Sequence, residues 1–355
     1  FRIPSGSMIP TLLPGDFIAM KLTGETSITS AALSEGIFWD FRSNCISNDV
    51  INYFGFDQSF FPAIQNLFSP HGLLKDAVAE RLSLKPGIPV SYKAGDQLNN
   101  ALSLNVMQPG EVAATAGTSG VIYGVSDQME YDRQSRINSF AHVNHQADLN
   151  RIGVLLCING SGIFNRWVKN LIGGNRTYSE LNNAAANIKP GSNNLLALPF
   201  GNGAERMLNN RQVGAHFKNL DFNIHTDAHL VRAAQEGIAF AFRFGLDIMR
   251  ENGMNPTIIR AGKANLFLSD VFTRSFANTA QVAIEFYKGD GSYGAAIGAG
   301  IGAGIFKNTK EAFSNRKPDE VIEPEKYNNY EELYADWKEL LNEKTGAITE
   351  QVNIL

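Results

Sequence analysis

The run Val112 to Val125, VAATAGTSGVIYGV, constrains the fold most. Two β-prone arms flank Gly117-Thr118-Ser119-Gly120, and that pattern specifies a hairpin rather than a helix. Small residues let the backbone approach an anion closely, and the Thr118 and Ser119 hydroxyls add donors, so the turn suits a phosphate. A hairpin turn that binds nothing is the competing reading. The turn is not the longer glycine-rich loop with its lysine that defines a P-loop. Earlier in the chain, Pro86-Gly87 precedes an apolar run, Ile88 to Tyr92, that reads as a short strand leading to Ala94-Gly95-Asp96-Gln97. A carboxylate at the end of a strand can take a proton from a substrate hydroxyl, and an ordinary Gly-Asp turn is the alternative. Taken together, the two segments suggest phosphoryl transfer from a nucleotide to an alcohol.

Four segments carry a wider likeness: PGIPVSYKAGDQLNNAL, PGEVAATAGTSGVIYGV, AHLVRAAQEGIAFAFRFGLDIM and GSYGAAIGAGIGAG. In this order and spacing the chain resembles the FGGY carbohydrate kinases, and within them the xylulokinases, across nearly its whole length. The resemblance implies an α/β, two-lobed, ribonuclease-H-like (actin/hexokinase-type) sugar kinase fold with an incomplete first lobe. Residues 1–105 would form a partial sugar-binding lobe carrying Asp96, and 106–355 a nucleotide-binding lobe with a C-terminal helix. By the same resemblance Asp96 is the catalytic base and a sugar contact, and Gln97 helps to hold the sugar. Nucleotide contacts fall on Gly117, Thr118, Ser119, Gly120, Gly162, Gly262 and Asn265. ATP and Mg²⁺ are the implied cofactors, a ketopentose, D-xylulose, the implied sugar, and no protein ligand to a metal is implied.

The chain also departs from the family pattern. Asn219-Leu220 replaces a glycine ahead of an apolar position, and Gln235 stands where an apolar residue is usual. Of a glycine run expected after the strand at Ile258-Ile259, only Gly262 remains, because Arg260 and Ala261 replace the first positions and narrow the backbone's freedom. Lys263 reads equally as a solvated loop residue or a phosphate contact. The family's first phosphate loop and part of its sugar contacts precede the matched region. A truncated kinase is therefore expected, with sheet edges and an apolar face left open and a homodimer as one way to cover them. Phe1 to Ile18 resembles instead the nucleophile segment of type I signal peptidases, with Ser7 in the serine's place, but no lysine base can be carried over. The remaining function readings are a non-catalytic nucleotide-binding remnant and a signal-peptidase-like serine peptidase.

With 355 residues, 44% of them hydrophobic, and a formal charge of −4, the chain can bury large cores and should form two domains. Its 31 Lys and Arg are scattered, which argues against nucleic acid. Cys45 and Cys157 sit in apolar settings, so no disulfide framework and a cytoplasmic location are expected. No apolar run is long enough to span a membrane. The small-residue stretch Gly294 to Gly304 suits a helix packed tightly on a neighbour or lying close to a ligand.

Local signals mark several helices. Thr226 is an N-cap followed by Asp227, with an apolar stripe from Leu230 to Ala241, and Arg232 and Glu236 can pair on that helix's outer face. Asn159 to Phe164 follows the strand Ile152 to Ile158 and opens a helix; by resemblance its N-terminus lies beside the nucleotide. The pairs His142/His145 and His225/His229 lack acidic or cysteine partners at ligand spacing, so no zinc site is expected. Tyr327, Tyr330, Tyr334, Trp337, Leu340 and Leu341 form an aromatic stripe that fits core packing.

Overall fold

A computed structural model describes residues 11–326 and 329–352, so Ser7 with its flanking segment and Tyr327 lie outside the described residues. Short helices dominate the first part of the chain: α1 (Pro14–Thr23), α2 (Ser30–Glu35), α3 (Asn48–Phe54), α4 (Asp76–Leu82) and α5 (Asp96–Ser103). Pro14 opens α1 where a missing N–H costs nothing, and the Thr29 and Ser47 hydroxyls accept the Ala32 and Val50 amides at the starts of α2 and α3. The named strands here are one two-residue pair, β1 (Trp39–Asp40) with β2 (Cys45–Ile46). Ile88 to Tyr92 is not the strand expected. A single bridge joins Pro89 to Leu73, and Pro89, with no N–H to donate, cannot extend a ladder. Asp96 accordingly stands at the first turn of α5, behind Gly95 as N-cap, and not at a strand end.

The hairpin forms as its sequence dictates. It consists of β3 (Glu111–Ala116) and β4 (Gly120–Ser126), antiparallel, with Ala116 opposite Gly120. Around it assemble β5 (Asn138–Ala141), β6 (Ile152–Ile158), β9 (Ile258–Gly262), β10 (Ile284–Tyr287) and β11 (Glu320–Ile322), in the order β11-β10-β9-β3-β4-β6-β5. Strands β3, β4 and β6 are antiparallel neighbours, whereas β9 and β10 continue the sheet parallel to β3. A separate hairpin pairs β7 (Leu196–Phe200) with β8 (Gly214–Lys218).

Both faces of the large sheet are covered, so its central strands are apolar on both sides. On one face lie α6 (Gly162–Ile172), α7 (Tyr178–Ala186), α8 (Asp227–Glu251), α9 (Asp270–Ala280) and α12 (Tyr330–Val352), and they form the main core with the strands. Tyr334, Trp337, Leu340 and Leu341 of α12 are buried in it, and the Trp337 indole donates to the Ala197 carbonyl at 2.9 Å. Thr226 caps α8, as expected. The Arg232–Glu236 pair, at 2.8 Å, is buried rather than on an outer face. There Arg232 also donates to the Ile188 carbonyl and Glu236 accepts the Gly191 amide, so the charges are compensated by the loop after α7.

The other face carries α5 and α10 (Gly291–Gly302). These two helices meet backbone to backbone: a Cβ on Gly294 would lie 2.0 Å from the Asn99 carbonyl oxygen. The small residues of 294–304 therefore serve close helix packing, one of the two uses their composition suits.

Candidate active site

At one end of the large sheet, the turn between β3 and β4 meets the start of α6. The Gly162 amide donates to the Gly117 carbonyl and the Ile163 amide to the Thr118 carbonyl, both at 3.0 Å. A Cβ at position 162 would lie 2.2 Å from the Gly117 oxygen, so only glycine allows this approach. The first two amides of α6 are thus engaged in clamping the turn, and neither faces an anion freely. Behind the junction, the buried Ser161 hydroxyl has no hydrogen-bond partner among the described residues. Buried Glu205 holds the loop before α6 by accepting the Asn159 and Gly160 amides at 3.0 and 2.8 Å. Burial pushes the Glu205 carboxyl above its ordinary value.

A cavity of about 350 Å³ opens at this junction. Of the residues expected at a nucleotide, Gly117, Thr118, Gly162 and Asn265 line it; Ser119, Gly120 and Gly262 do not. Asn265 is in the left-handed backbone region at φ +54° and starts the short 3-10 turn Asn265–Leu268. Sequence reasoning missed the rest of the lining, notably Asn165, Arg166, Tyr178, Asn182 and Ser269. Gln235 organises three of these. Its amide nitrogen donates to the Asn182 and Asn165 side chains at 2.9 and 3.3 Å, and its oxygen accepts from Ser269 at 2.6 Å. Gln235, standing where an apolar residue is usual, was the available signal. A buried amide inside an apolar stripe must find partners, and here those partners are the cavity wall.

The cavity's glycine-clamped turn, amide side chains and exposed Arg166 fit a nucleotide's phosphates and base edge. Among the described residues no group of three or more His, Cys, Asp or Glu could hold a metal ion. A magnesium ion in such chemistry is held mainly by phosphate oxygens, water and one or two carboxylates. Lys263 is paired with Glu320, and Arg260 with Glu111 and Glu285 at 3.0 and 2.8 Å, so both cations knit strands together.

Asp96 lies in a second cavity, of about 400 Å³, with Glu35, Asp16, Lys93 and Leu13. No residue lines both cavities. The exposed Asp96 carboxylate accepts the Gln97 backbone amide at 2.8 Å and its side-chain amide at 3.2 Å, so these two predicted sugar contacts are already joined. Lys93 and Asp16 form a buried ion pair at 2.7 Å. Burial, reinforced by the charge on Asp96, pushes the Glu35 carboxyl up to about 7. Asp96 also acts electrostatically on Cys157 of β6, whose neighbour Ile158 pairs with Gly120.

No family model matches the chain. The fold is nevertheless the actin/hexokinase-type α/β fold of sugar kinases, and the similarity to xylulose kinases supports a carbohydrate kinase. Within that class the chain is similar to the xylulose kinase of Staphylococcus epidermidis (strain ATCC 35984), 28% identical over 349 residues that cover 95% of this chain and 68% of that protein. It is also similar to the crystal structure of xylulose kinase from Rhodospirillum rubrum, at TM-score 0.80 and 25% identity, covering 92% of this chain and 66% of that one. A gluconate kinase from Lactobacillus acidophilus matches at TM-score 0.83 and 20% identity over 93% of this chain and 67% of its own. The chain thus spans about two thirds of the length of these relatives, and the likeness of fold alone does not select a sugar. Among the described residues no helix is long and apolar enough to cross a membrane.

Proposed function

We propose that this chain carries the working part of an ATP-dependent sugar kinase acting on a ketopentose, D-xylulose. The observation that carries the reading is the convergence of Gly117, Thr118, Gly162 and Asn265, from three separate places in the sequence, on one cavity at the end of the sheet. In this reading the cavity holds ATP, with the clamped turn against its phosphates and Asn165, Asn182 and Asn265 as polar contacts. Asp96 accepts the proton of the attacking sugar hydroxyl, and Gln97 steadies that carboxylate in its ionised form. Mg²⁺ bound with the nucleotide would neutralise phosphate charge. Catalysis then comes from positioning and electrostatics rather than covalent chemistry.

The similarity to xylulose kinases supports the choice of sugar. Cys45 and Cys157 are free, which supports the cytoplasmic placement. Exposed apolar side chains on residues 11–105, among them Ile18, Ile37 and Tyr53, support pairing with a second copy. A non-catalytic nucleotide-binding role is the second reading. The observation favouring it is that Asp96 and the nucleotide cavity share no lining residue.

The test is ADP release by the 355-residue chain with ATP and Mg²⁺, with and without D-xylulose. The expected result is sugar-dependent release that Asp96→Ala lowers by about 10²–10⁴-fold while nucleotide binding persists. Nucleotide binding without sugar-dependent release would decide for the second reading. Loss of both in the variant would make Asp96 structural.

A further inference from the structure

Gln235 is fully buried in α8 and lines no part of the nucleotide cavity, yet it decides how the wall of that cavity is polarised. Both hydrogens of its amide nitrogen are spent, one on the side-chain oxygen of Asn182 at 2.9 Å and one on that of Asn165 at 3.3 Å. Its own oxygen accepts the Ser269 hydroxyl at 2.6 Å. The direction of this chain of bonds follows from the hydroxyl. Ser269 is buried and its side chain bonds to nothing else among the described residues, so turning the Gln235 amide over would leave the hydroxyl proton without an acceptor.

The two asparagines therefore have their oxygens drawn inward. Their amide nitrogens bond to nothing among the described residues and are not sealed from solvent. Asn165 on α6 and Asn182 on α7 are half-buried and form the cavity wall, so N–H donors are what the wall offers a ligand there. Because both oxygens converge on one nitrogen, the two carboxamides are neighbours. No carboxylate lines the cavity, Arg166 adds donors only, the Thr118 and Tyr178 hydroxyls can donate or accept, and the Asn265 amide lies at the turn, 3.8 Å from where a Cβ on Gly117 would stand. Three residues of helix, about 4.5 Å, carry Asn165 away from the glycine clamp at Gly162. Ile163, Leu266, Leu268 and the Tyr178 ring supply apolar surface, the surroundings of a base rather than of phosphates.

A pair of neighbouring N–H donors sorts purines by what they carry at carbon 6. A 6-oxopurine presents two adjacent acceptors, O6 and N7, and can take both donors at once. Adenine places its 6-amino donor beside N7, so on that edge one of the two asparagines would meet another N–H. We infer that Gln235 is a positioning residue for nucleotide choice: by turning Asn165 and Asn182 so that their N–H groups meet the base, it makes the cavity hold a 6-oxopurine nucleotide more tightly than ATP. The inference rests on the reading of this cavity as the nucleotide site and refines which base it favours.

Calorimetric titration of the full chain with ITP, ATP and inorganic triphosphate tests it, since ITP and ATP share sugar and phosphates and differ only in the base. ITP is expected to bind about tenfold more tightly than ATP. Gln235→Leu, which restores an apolar residue, should bring the two nucleotides to within about twofold of each other and leave inorganic triphosphate unchanged. Gln235→Glu should invert the order. A carboxylate only accepts, the three donors around it favour its ionised form, and Asn165 and Asn182 must then turn their N–H groups inward and their oxygens toward the base. Equal or tighter binding of ATP by the parent would overturn the inference and leave the nucleotide reading standing, whereas no binding of either nucleotide would overturn both. A parallel loss of ITP and ATP in Gln235→Leu, with their ratio kept, would make Gln235 merely structural, and an equal loss of triphosphate would put the asparagines on phosphate. Should Gln235→Leu not fold, the parent's ratio and its inversion in Gln235→Glu decide.

Discussion

Residues 11–105 and the sheet region that follows them are built on opposite terms. The earlier region has a separate core of four buried apolar side chains, Ile28, Leu33, Ile46 and Ile51, and leaves Tyr53 83% and Ile37 65% exposed. Its longest strand pair is two residues. The later region threads one sheet through two continuous cores, and Trp337, Tyr123, Phe242 and Phe272 are fully buried there. The nucleotide cavity is made wholly by the second kind of structure, whereas Asp96 sits where the first kind meets it. Stability should therefore be unevenly distributed, high around the clamped turn and low around α1 to α4.

Four measurements would break or sharpen that contrast. Trp337→Ala empties the centre of the main core and should cost about 4 kcal/mol, with amide exchange accelerating in β3 and β4 as well as in α12. Protection of β3 and β4 left intact would mean that α12 is an appendage. Leu33→Ala, in the small core, should cost about 3 kcal/mol but act locally. Exchange in α2 should rise while β3 and β4 keep their protection; a single cooperative loss would erase the distinction between the regions. Gly162→Ala forces a Cβ onto the Gly117 carbonyl and should cost about 2 kcal/mol. Calorimetric titration with ATP should then show about tenfold weaker binding, and unchanged affinity would remove the turn from the nucleotide site.

The smallest effect concerns Glu35. Its carboxyl is raised from 4.5 to about 7 in the folded chain, so below pH 4.5 it is protonated both folded and unfolded and its full contribution is present. Between these values the unfolded chain gives up the proton first, and stability falls as pH rises. Glu35→Gln removes this titration. Allowing for the group's partial exposure, the variant should be more stable than the parent by on the order of 1 kcal/mol above pH 7, with the gain vanishing toward pH 4.5. Thermal melts across that range should show a difference of about 2 °C at the alkaline end; a constant difference would place the effect in packing.

What the chain discloses before folding follows the range of the forces involved. The β3–β4 hairpin, the cap at Thr226 and the helix opening after Ile158 are legible because alternation, capping and glycine placement act over a few residues. The helical start at Asp96 was not, since Ile88 to Tyr92 has a strand's composition and only Pro89 denies it a ladder. An Arg and a Glu four apart look like a solvated pair, and it takes the loop at Ile188 and Gly191 to bury them. Gln235 showed as an irregularity, but its partners Asn165, Asn182 and Ser269 come from three other elements and no local pattern joins them.

The contact between Gly294 and Asn99 has a mechanical meaning. With no side chain between them, the α10 backbone at Gly294 rests directly on the Asn99 carbonyl of α5, so any side chain at that position must push the two helices apart. Asp96 is the first residue of α5. The seating of Asp96's helix thus depends on a glycine almost two hundred positions away that has no functional group, and a single methyl there is expected to shift α5 without touching the carboxylate.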